Sequence, residues 1–280
     1  MSSSPLPGAA THHRPPALFA GYIFDLDGTI YLGDELLPGA AGLIATLRRL
    51  DRKLLFLSNN PTKDNTAYVA KLAGLGIDVS PHEVLNTVDT MVAWLLRHHP
   101  HATVYPISEA PLIDALTAAG IRISVNPAEI DFVIASYDRT FAYPKLQIAF
   151  DAIAVHKRAG LIATNPDRYC PFPNGRGEPD AGAIIGAIEG CTGVRCEQNV
   201  GKPDPFMLEA ALDRLGLSAR DCVMVGDRLM TDIRMAIDAG MASALVLTGE
   251  TTRELLAVHP SESQPTWVLD RVDDVLPERT

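Results

Sequence analysis

Short apolar runs alternate with amphipathic stretches along the first part of the chain. Residues 18–25 and 53–58 are apolar and of strand length, and the leucines of residues 39–50 recur at helical spacing after a proline. A second helical pattern covers residues 63–75, and a short apolar run follows at residues 84–86. This alternation of strands and helices predicts a parallel sheet with crossover helices.

The rest of the chain repeats the alternation. In the last hundred residues the pattern predicts helices at 205–215 and 230–239 and strands at 222–225 and 244–247. In the middle it predicts strands at 103–106, 132–135 and 161–163 and helices at 110–119 and 146–158. The middle part is long enough to fold as a separate α/β unit.

These patterns predict an α/β protein with an insertion. Residues 18–86 and 181–280 are expected to form one domain with a parallel sheet, and residues 87–180 an α/β domain inserted into it. Residues 1–17 are rich in Ser, Pro and Ala and are expected to be a disordered tail.

Composition and charge narrow the function. The chain has 280 residues, 47% of them hydrophobic, and no window approaches the roughly 18 uninterrupted apolar residues of a membrane-spanning helix. Its net charge of −10 opposes bulk attraction to nucleic acid or anionic membranes, so neither is an expected partner. A small anionic ligand stays compatible, because a metal ion or a helix end can dominate the field inside one cleft.

The cysteines and the first residues indicate the compartment. The four cysteines, Cys170, Cys191, Cys196 and Cys222, include no CxxC pair, which favours reduced thiols over a disulfide framework or a zinc site. The start of the chain lacks the basic residues and apolar stretch of a secretory signal. We therefore expect a cytoplasmic protein.

Polar residues follow several of the predicted strands. Asp25 and Asp27, in the sequence FDLDGT, come at the end of the first strand, and open parallel sheets bind ligands at the carboxyl ends of their strands. Further polar groups stand at the ends of other predicted elements: Ser58-Asn59-Asn60, Gly201-Lys202-Pro203, Gly226-Asp227 and Asp232. Each alone is typical of a turn, a helix cap or a solvated surface. Together they indicate one site.

The motifs around these residues are similar to those of a known family. They read DLDGTIYLG, LSNNPTK, GKPDP and VGDRLMTDIRMAIDAG, with DRTFAYPKL and ATNPDRYCP in the middle region. From residue 21 to about residue 252 the chain resembles a phosphatase of the haloacid dehalogenase (HAD) superfamily, in its NagD-like branch of p-nitrophenyl, pyridoxal and phosphoglycolate phosphatases (subfamily IIA). The resemblance implies a Rossmann-like, doubly wound parallel sheet as the core, with a C2-type cap domain at residues 87–180.

The resemblance also implies the central chemistry. A phosphate monoester repels an anionic nucleophile, so attack by a carboxylate requires a cation beside it and a proton donor for the leaving oxygen. By resemblance, Asp25 attacks phosphorus to give an aspartyl phosphate, and Asp27 protonates the leaving alkoxide and then activates water. Asp27 must be protonated when substrate arrives, which neighbouring carboxylates favour by raising its pKa.

A crowd of carboxylates around a phosphate requires positive charge. Oxygen ligands with few nitrogen or sulfur donors point to Mg²⁺. By resemblance, Mg²⁺ binds the carboxylates of Asp25 and Asp227 and the carbonyl of Asp27, Asp232 holds a metal-bound water or Lys202, and Lys202 supplies a second positive charge. The implied phosphate ligands are Leu26, Asp27, Ser58, Asn59 and Lys202, and the implied supporting residues are Thr29 and Gly226.

Substrate specificity is expected to lie in the cap and in the residue after the phosphate-binding pair. The candidates are Asn60, Tyr137, Asp138, Arg139, Asn165, Tyr169 and Cys170, and each is also compatible with packing or capping inside its own domain. Cys170 stands where similar pyridoxal phosphatases have a histidine, which disfavours a vitamin phosphate as substrate.

The expected function is therefore that of a Mg²⁺-dependent phosphomonoesterase. Its substrate is expected to be a small metabolite phosphate such as a nucleoside monophosphate, a sugar phosphate or p-nitrophenyl phosphate, with pyridoxal phosphate and phosphoglycolate as alternatives. From another class, a receiver-like regulator or a silent phosphometabolite-binding protein also combines aspartates, a hydroxyl and a lysine. A receiver is a single short domain, however, and a silent binder is expected to lack one of the catalytic groups. A homodimer remains open.

Overall fold

The structure, a computed structural model, describes residues 14–172 and 176–278. Most of the expected tail, residues 1–13, lies outside the described residues. The described end of that tail contacts the rest of the protein, because Arg14 forms an ion pair with Asp274 and Pro15 is buried.

The strands, in chain order, are as follows. They are β1 (Gly21–Asp25), β2 (Tyr31–Leu32), β3 (Glu35–Leu36), β4 (Lys53–Ser58), β5 (Val84–Asn86), β6 (Thr103–Ile107), β7 (Arg122–Ile123), β8 (Phe132–Ala135), β9 (Gly160–Ala163), β10 (Tyr169–Phe172), β11 (Arg176–Pro179), β12 (Gln198–Asn199), β13 (Cys222–Gly226), β14 (Ala242–Val246) and β15 (Trp267–Leu269).

The α-helices alternate with these strands. They are α1 (Ala40–Arg49), α2 (Asn65–Gly74), α3 (Thr87–His98), α4 (Ala110–Ala118), α5 (Tyr143–Phe150), α6 (Ala181–Thr192), α7 (Pro205–Leu215), α8 (Arg234–Asp238) and α9 (Arg253–Ala257). A π-helical turn continues α5 at Asp151–Val155, and another precedes α8 at Leu229–Ile233. No helix among the described residues is both long and apolar enough to cross a membrane.

The described chain forms two compact units. Unit 1 comprises residues 14–57, 69–84 and 208–278, and unit 2 comprises residues 58–68, 85–172 and 176–207. The expected insertion, residues 87–180, lies within unit 2, which extends beyond it in both directions. The extension past residue 180 has a physical reason, because Ile184 and Ile188 of α6 are part of a hydrophobic core of unit 2.

The large sheet is parallel, and the order in which the chain adds strands reverses at β1. Its strand order is β15-β14-β13-β1-β4-β5. The chain therefore adds β4 on one side of β1 and later places β13 on the other side, with Phe24 opposite Val225. The carboxyl ends of β1 and β13 lie side by side at this point, which is where doubly wound sheets bind ligands.

Unit 2 contains its own parallel sheet with helices on both faces. The strand order is β12-β9-β8-β6-β7. Side chains of β8 alternate between two cores: Val133 and Ala135 pack with α5 and α6, while Ile134 packs with α3 and α4. The strands β6 and β9 alternate in the same way. The prediction of an α/β protein with parallel sheets is confirmed.

Two helices of unit 2 are absent from the sequence prediction. Helix α3 is capped by Asn86, whose side chain accepts hydrogen bonds from the N–H groups of Val88 and Asp89 at 2.9 and 3.1 Å. The position was assigned to a domain boundary, which hid this N-cap signal. Helix α6 contains three glycines, Gly182, Gly186 and Gly190, whose low helix propensity weakens its pattern.

Candidate active site

Three buried carboxylates come together in unit 1. Asp25 is the last residue of β1, Asp227 follows β13, and Asp232 lies in the π-helical turn before α8. One carboxylate oxygen from each lies within 4.8 Å of the others, and all three residues are buried. The structure thus joins the predicted Asp25 and Asp227, and it places Asp232, predicted as a supporting residue, equally close.

Three glycines allow this close approach. A Cβ atom on Gly28, which has a φ of +91°, would lie 2.6 Å from Asp227 Oδ2, and one on Gly249 would lie 2.0 Å from the same oxygen. A Cβ atom on Gly226 would lie 2.3 Å from Asp232 Cγ. Any larger residue at these positions would displace a carboxylate of the cluster.

The loop after β14 completes the surroundings of Asp227. The Glu250 N–H donates to Asp227 Oδ2 at 2.6 Å, the Thr251 N–H donates to the Asp227 carbonyl at 3.3 Å, and Thr248 Oγ1 donates to the Gly28 carbonyl at 2.6 Å. The sequence analysis missed this loop. Its signal was the same as at the other sites, because a glycine and polar residues directly follow a predicted strand.

The electrostatics of the cluster favour a bound cation. Burial raises the pKa of Asp227 well above its ordinary value, and the neighbouring Asp25 and Asp232 raise it further. Asp227 Oδ1 is buried and has no hydrogen-bond partner among the described residues. Three close carboxylates with an unsatisfied buried oxygen fit a hard divalent cation that takes oxygen ligands, such as Mg²⁺.

The loop between Asp25 and β2 is tightly hydrogen-bonded. The Leu26 carbonyl accepts from the N–H groups of Thr29, Ile30 and Tyr31 at 3.3, 2.9 and 3.2 Å. Asp27 is exposed at the top of this loop, and the Thr29 side chain is fully buried. Thr29 Oγ1 has no hydrogen-bond partner among the described residues. This loop therefore presents the Asp27 side chain outward from a rigid turn.

In unit 2, Ser58 is held by an aromatic hydroxyl. Ser58 Oγ lies 2.7 Å from the hydroxyl of the buried Tyr68, which also donates to the Asn60 carbonyl at 3.0 Å. The Asn60 N–H donates to Ser58 Oγ at 3.2 Å. Since a tyrosine has one hydroxyl proton, donation to Asn60 leaves Ser58 as the donor in the 2.7 Å contact. Tyr68 was not among the predicted site residues.

Lys202 and Asn59 are also neighbours in unit 2. The Asn59 side chain accepts from the Lys202 N–H at 2.8 Å and donates to the Lys202 carbonyl at 3.1 Å. The Lys202 residue is only 2% exposed. Asn165, predicted as a specificity residue, is fully buried and donates to the Asn59 carbonyl at 3.0 Å. Unit 2 therefore brings Asn59, Lys202 and Asn165 into one hydrogen-bonded network, and Ser58 precedes Asn59 in the chain.

The other specificity candidates are engaged inside unit 2. The buried Tyr137 donates its hydroxyl to Glu178, and burial together with this carboxylate raises its pKa, so the hydroxyl stays protonated. Asp138 accepts from the Thr140 N–H at 2.9 Å and pairs with Lys145, and the Arg139 guanidinium contacts Glu109 at 2.6 and 2.7 Å. These contacts order the segment after β8.

Two further candidates lie on a hairpin. Tyr169 and Cys170 belong to β10, which pairs with β11 so that Cys170 is opposite Glu178. Tyr169 is 48% exposed. The remaining candidate, Asn60, lies outside this hairpin, and its side chain accepts from the Thr62 N–H at 2.9 Å. Substrate contact by these residues stays a prediction.

None of the four cysteines, all of which are described, forms a disulfide.

The fold and the carboxylate cluster are those of an α/β enzyme with its site at the strand ends of a parallel sheet. Residues 22–122 match the family of haloacid dehalogenase-like hydrolases, and residues 199–275 match a second HAD-hydrolase-like family. Together with the relatives described next, these matches show that the chain belongs to the haloacid dehalogenase-like hydrolases.

Relatives and solved structures agree over nearly the whole chain. The chain is 38% identical to the sugar-phosphatase AraL of Bacillus subtilis over 94% of both chains. It is 34% identical to an acid sugar phosphatase of Staphylococcus aureus over 93% of this chain and 98% of that one. The 4-nitrophenylphosphatase of Thermotoga maritima superposes with a TM-score of 0.85 at 33% identity, covering 92% of this chain and 96% of that one. NagD of Escherichia coli K-12 superposes with a TM-score of 0.80 at 28% identity, covering 91% of this chain and 97% of that one. The prediction of a HAD-family phosphatase of the NagD-like branch is confirmed.

Proposed function

We propose that the protein is a divalent-cation-dependent phosphomonoesterase that hydrolyses small sugar phosphates through an aspartyl phosphate on Asp25. One observation carries the proposal: the buried cluster of Asp25, Asp227 and Asp232, with its unsatisfied Asp227 oxygen. Three buried carboxylates within 4.8 Å of one another are stabilised by a cation, and hydrolysis of a phosphate ester uses such a cation.

The cation would be held by carboxylate oxygens of Asp25 and Asp227 and by the Asp27 carbonyl, with Asp232 beside them. When bound, it offsets the negative charge of the phosphoryl group and of the carboxylates around it. We propose Mg²⁺, because the donor set contains only oxygen.

In the first step, a carboxylate oxygen of Asp25 forms a bond to phosphorus and the bond from phosphorus to the ester oxygen breaks. The Asp27 carboxyl group gives its proton to the leaving alkoxide. The exposure of Asp27 above a rigid turn suits a group that exchanges protons with a substrate and with water.

In the second step, Asp27, now ionised, takes a proton from water, and the water oxygen bonds to phosphorus. The bond from Asp25 to phosphorus breaks, so that inorganic phosphate and the Asp25 carboxylate are restored. Lys202 and the Ser58 hydroxyl are proposed to bind the phosphoryl oxygens in both steps, together with the main-chain N–H groups of Leu26 and Asn59.

The names of the relatives support the proposed substrate class. Two of them bear the names sugar-phosphatase and acid sugar phosphatase, and they cover more than 90% of this chain. We therefore place sugar phosphates first, ahead of nucleoside monophosphates, pyridoxal phosphate and phosphoglycolate. The cytoplasm is the proposed location, which is supported by four cysteines that form no disulfide.

The test is a screen of metabolite phosphates with purified protein stripped of metal by a chelator. We expect phosphate release only after Mg²⁺ is added, with sugar phosphates ranking first in kcat/KM. Mass spectrometry after acid quenching should locate a phosphoryl group on the peptide containing Asp25. Turnover at full rate in chelator, or an adduct on another residue, would overturn the mechanism. Tight binding of phosphate esters without turnover would instead identify a binding protein or regulator.

A further inference from the structure

Two asparagine side chains hold the main chain of the segment that carries Lys202. Asn59 Oδ1 accepts from the Lys202 N–H at 2.8 Å, and Asn59 Nδ2 donates to the Lys202 carbonyl at 3.1 Å. One residue earlier, Asn199 Oδ1 accepts from the Gly201 N–H at 3.3 Å, and Asn199 Nδ2 donates to the Gly201 carbonyl at 3.0 Å. Each carboxamide thus binds both the donor and the acceptor of one residue.

The Asn59 side chain has a single orientation that satisfies its neighbours. If its amide were flipped, its NH₂ group would face the Lys202 N–H and its oxygen would face the Lys202 carbonyl. Asn59 Nδ2 also donates to Asp167 Oδ2 at 3.0 Å. The Asn59 carbonyl accepts from Asn165 Nδ2 and from Thr87 Oγ1, both at 3.0 Å. Asn59 is therefore held in place by contacts other than those with Lys202.

Close packing removes the remaining freedom of the segment. A Cβ atom on Gly201 would lie 2.5 Å from the Thr164 carbonyl oxygen and 2.8 Å from Asn59 Oδ1. Position 201 therefore requires a glycine for reasons of space. The segment lies directly against the main chain that follows β9 and against the side chain that holds Lys202.

We propose that Asn59 and Asn199 are positioning residues for Lys202, because their carboxamides fix the main chain from which its side chain leaves. A lysine side chain has a long flexible stem, so the location of its ammonium group depends on where its main chain is held. The inference rests on the proposed function, in which Lys202 binds the phosphoryl group. It assigns to the Asn59 side chain a task separate from phosphate binding by its main-chain N–H.

A double-mutant cycle tests the inference. Asn59→Asp keeps the size of the side chain but replaces the donor Nδ2 with an oxygen, which then faces the Lys202 carbonyl and Asp167. Asn199→Asp makes the same change at the other carboxamide. Each is measured alone and combined with Lys202→Ala, with p-nitrophenyl phosphate for kcat and KM. Calorimetric titration with inorganic phosphate in the presence of Mg²⁺ gives an affinity that does not require turnover.

We expect each single Asp variant to weaken phosphate binding and kcat/KM by roughly 10- to 100-fold, the scale of a misplaced binding group. In the Lys202→Ala background the same changes should add less than about threefold, because the group that they position is gone. Asn126→Asp is the matched control. Asn126 is exposed and donates to Glu129 at 2.9 Å, so it undergoes the same chemical change outside the network and should leave phosphate affinity unchanged.

The pair Asn59→Asp with Asp167→Asn separates positioning from loop packing. The exchange restores a donor and an acceptor between residues 59 and 167 but not the bond to the Lys202 carbonyl. We expect the low phosphate affinity of Asn59→Asp to persist in this pair, whereas full recovery would show that only the contact with Asp167 matters.

The outcomes separate two kinds of failure. Unchanged phosphate affinity in Lys202→Ala would remove Lys202 from the proposed function. A low affinity in Lys202→Ala that falls by the full single-variant factor when Asn59→Asp or Asn199→Asp is added would overturn the positioning role alone. Circular dichroism establishes that each variant is folded. If neither Asp variant folds, the carboxamides are required for the fold, which also overturns the inference.

Discussion

The carboxylate cluster of unit 1 and the Gly201–Lys202 segment of unit 2 satisfy their polar groups in opposite ways. Asp25, Asp227 and Asp232 place like charges within 4.8 Å, and Asp227 Oδ1 has no hydrogen-bond partner among the described residues. In the segment, by contrast, the N–H and carbonyl groups of Gly201 and Lys202 are all bound by asparagine side chains.

This difference shows what each region requires. Burial and the neighbouring carboxylates of Asp25 and Asp232 destabilise the ionised form of Asp227, so a bound cation would stabilise the cluster. The main-chain groups of the segment are satisfied by Asn59 and Asn199, so they need no ligand, and almost any substitution of either asparagine loses a hydrogen bond. Removal of a carboxylate from the cluster should therefore raise the stability of the metal-free protein, and introduction of a carboxylate beside the segment should lower it.

The largest expected effect is on turnover and comes from the proposed nucleophile. Asn in place of Asp25 lacks the carboxylate oxygen that is proposed to bond to phosphorus, so Asp25→Asn should lower kcat by about 10⁴-fold or more. Release of p-nitrophenol under saturating Mg²⁺ measures this. The control is Asp34→Asn, since the Asp34 side chain is fully exposed and lies 3.8 Å from Lys71. A kcat for Asp25→Asn within tenfold of the wild type would exclude Asp25 as nucleophile.

The next effect concerns cation binding by the cluster. Asp227→Asn keeps an oxygen for the Glu250 N–H, which donates at 2.6 Å, but removes one charge. The Mg²⁺ affinity should fall by about 100-fold or more, because removal of a group that only supports a metal ligand already lowers metal affinity by about 10- to 100-fold. Titration of activity against Mg²⁺ measures it, and an unchanged midpoint would exclude Asp227 as a ligand.

The same substitution should raise the stability of the metal-free protein, which directly tests the contrast between the two regions. In chelator, Asp227→Asn should unfold at a higher temperature than the wild type, by about 3 °C or more, because it removes a buried like charge. Asn59→Asp should unfold at a lower temperature, because it adds a buried charge that faces Asp167. A decrease in both variants would show that the cluster is already compensated without a cation.

The pH dependence of stability follows from the raised pKa of Asp227. Above the unfolded-state pKa of about 3.9, the folded protein holds the proton on Asp227 more tightly than the unfolded chain does. The free energy of unfolding in chelator should therefore fall as the pH rises from about 4 through the raised pKa. We expect the difference in stability between Asp227→Asn and the wild type to grow over this range. Saturating Mg²⁺ should abolish that growth.

The sequence predicted most strands of the two parallel sheets and the carboxylates that meet in unit 1, because both depend on local patterns. The predicted strands at 53–58, 84–86 and 132–135 agree with β4, β5 and β8, and Asp25, Asp227 and Lys202 were found from their positions after apolar or glycine-containing runs. Some helix limits were missed for local reasons as well. The predicted helix 146–158 is α5, which begins at Tyr143, followed by a π-helical turn that ends at Val155.

The contacts that support the candidate site were missed because they join residues far apart in the sequence. The Glu250 N–H binds a carboxylate 23 positions earlier, and Asn59 binds Lys202 across 143 positions. An asparagine beside a serine looks the same whether it caps a turn or holds a distant lysine. Asn165 illustrates this most clearly: it was predicted as a specificity residue, and nothing in the sequence indicated that its buried side chain donates to the Asn59 carbonyl.

The smallest expected effect comes from Tyr68, whose hydroxyl connects Ser58 to the Asn60 carbonyl. Tyr68→Phe removes these contacts without removing a charge, so the free energy of unfolding should fall by about 1 kcal/mol. The Ser58 proton would lose the tyrosine oxygen to which it donates, and it would become available to a phosphoryl oxygen. The freed Ser58 proton should strengthen phosphate binding, while the loss of the Tyr68 contacts should loosen the loop that carries Ser58. Because these two effects oppose each other, kcat/KM should stay within about fivefold of the wild type. Denaturant unfolding and p-nitrophenyl phosphate kinetics measure the two quantities. A loss of turnover above about 100-fold would show that Tyr68 does more than orient Ser58. The residues around Ser58 would then depend on a ligand, as the carboxylate cluster of unit 1 is proposed to do, and would differ from the Gly201–Lys202 segment.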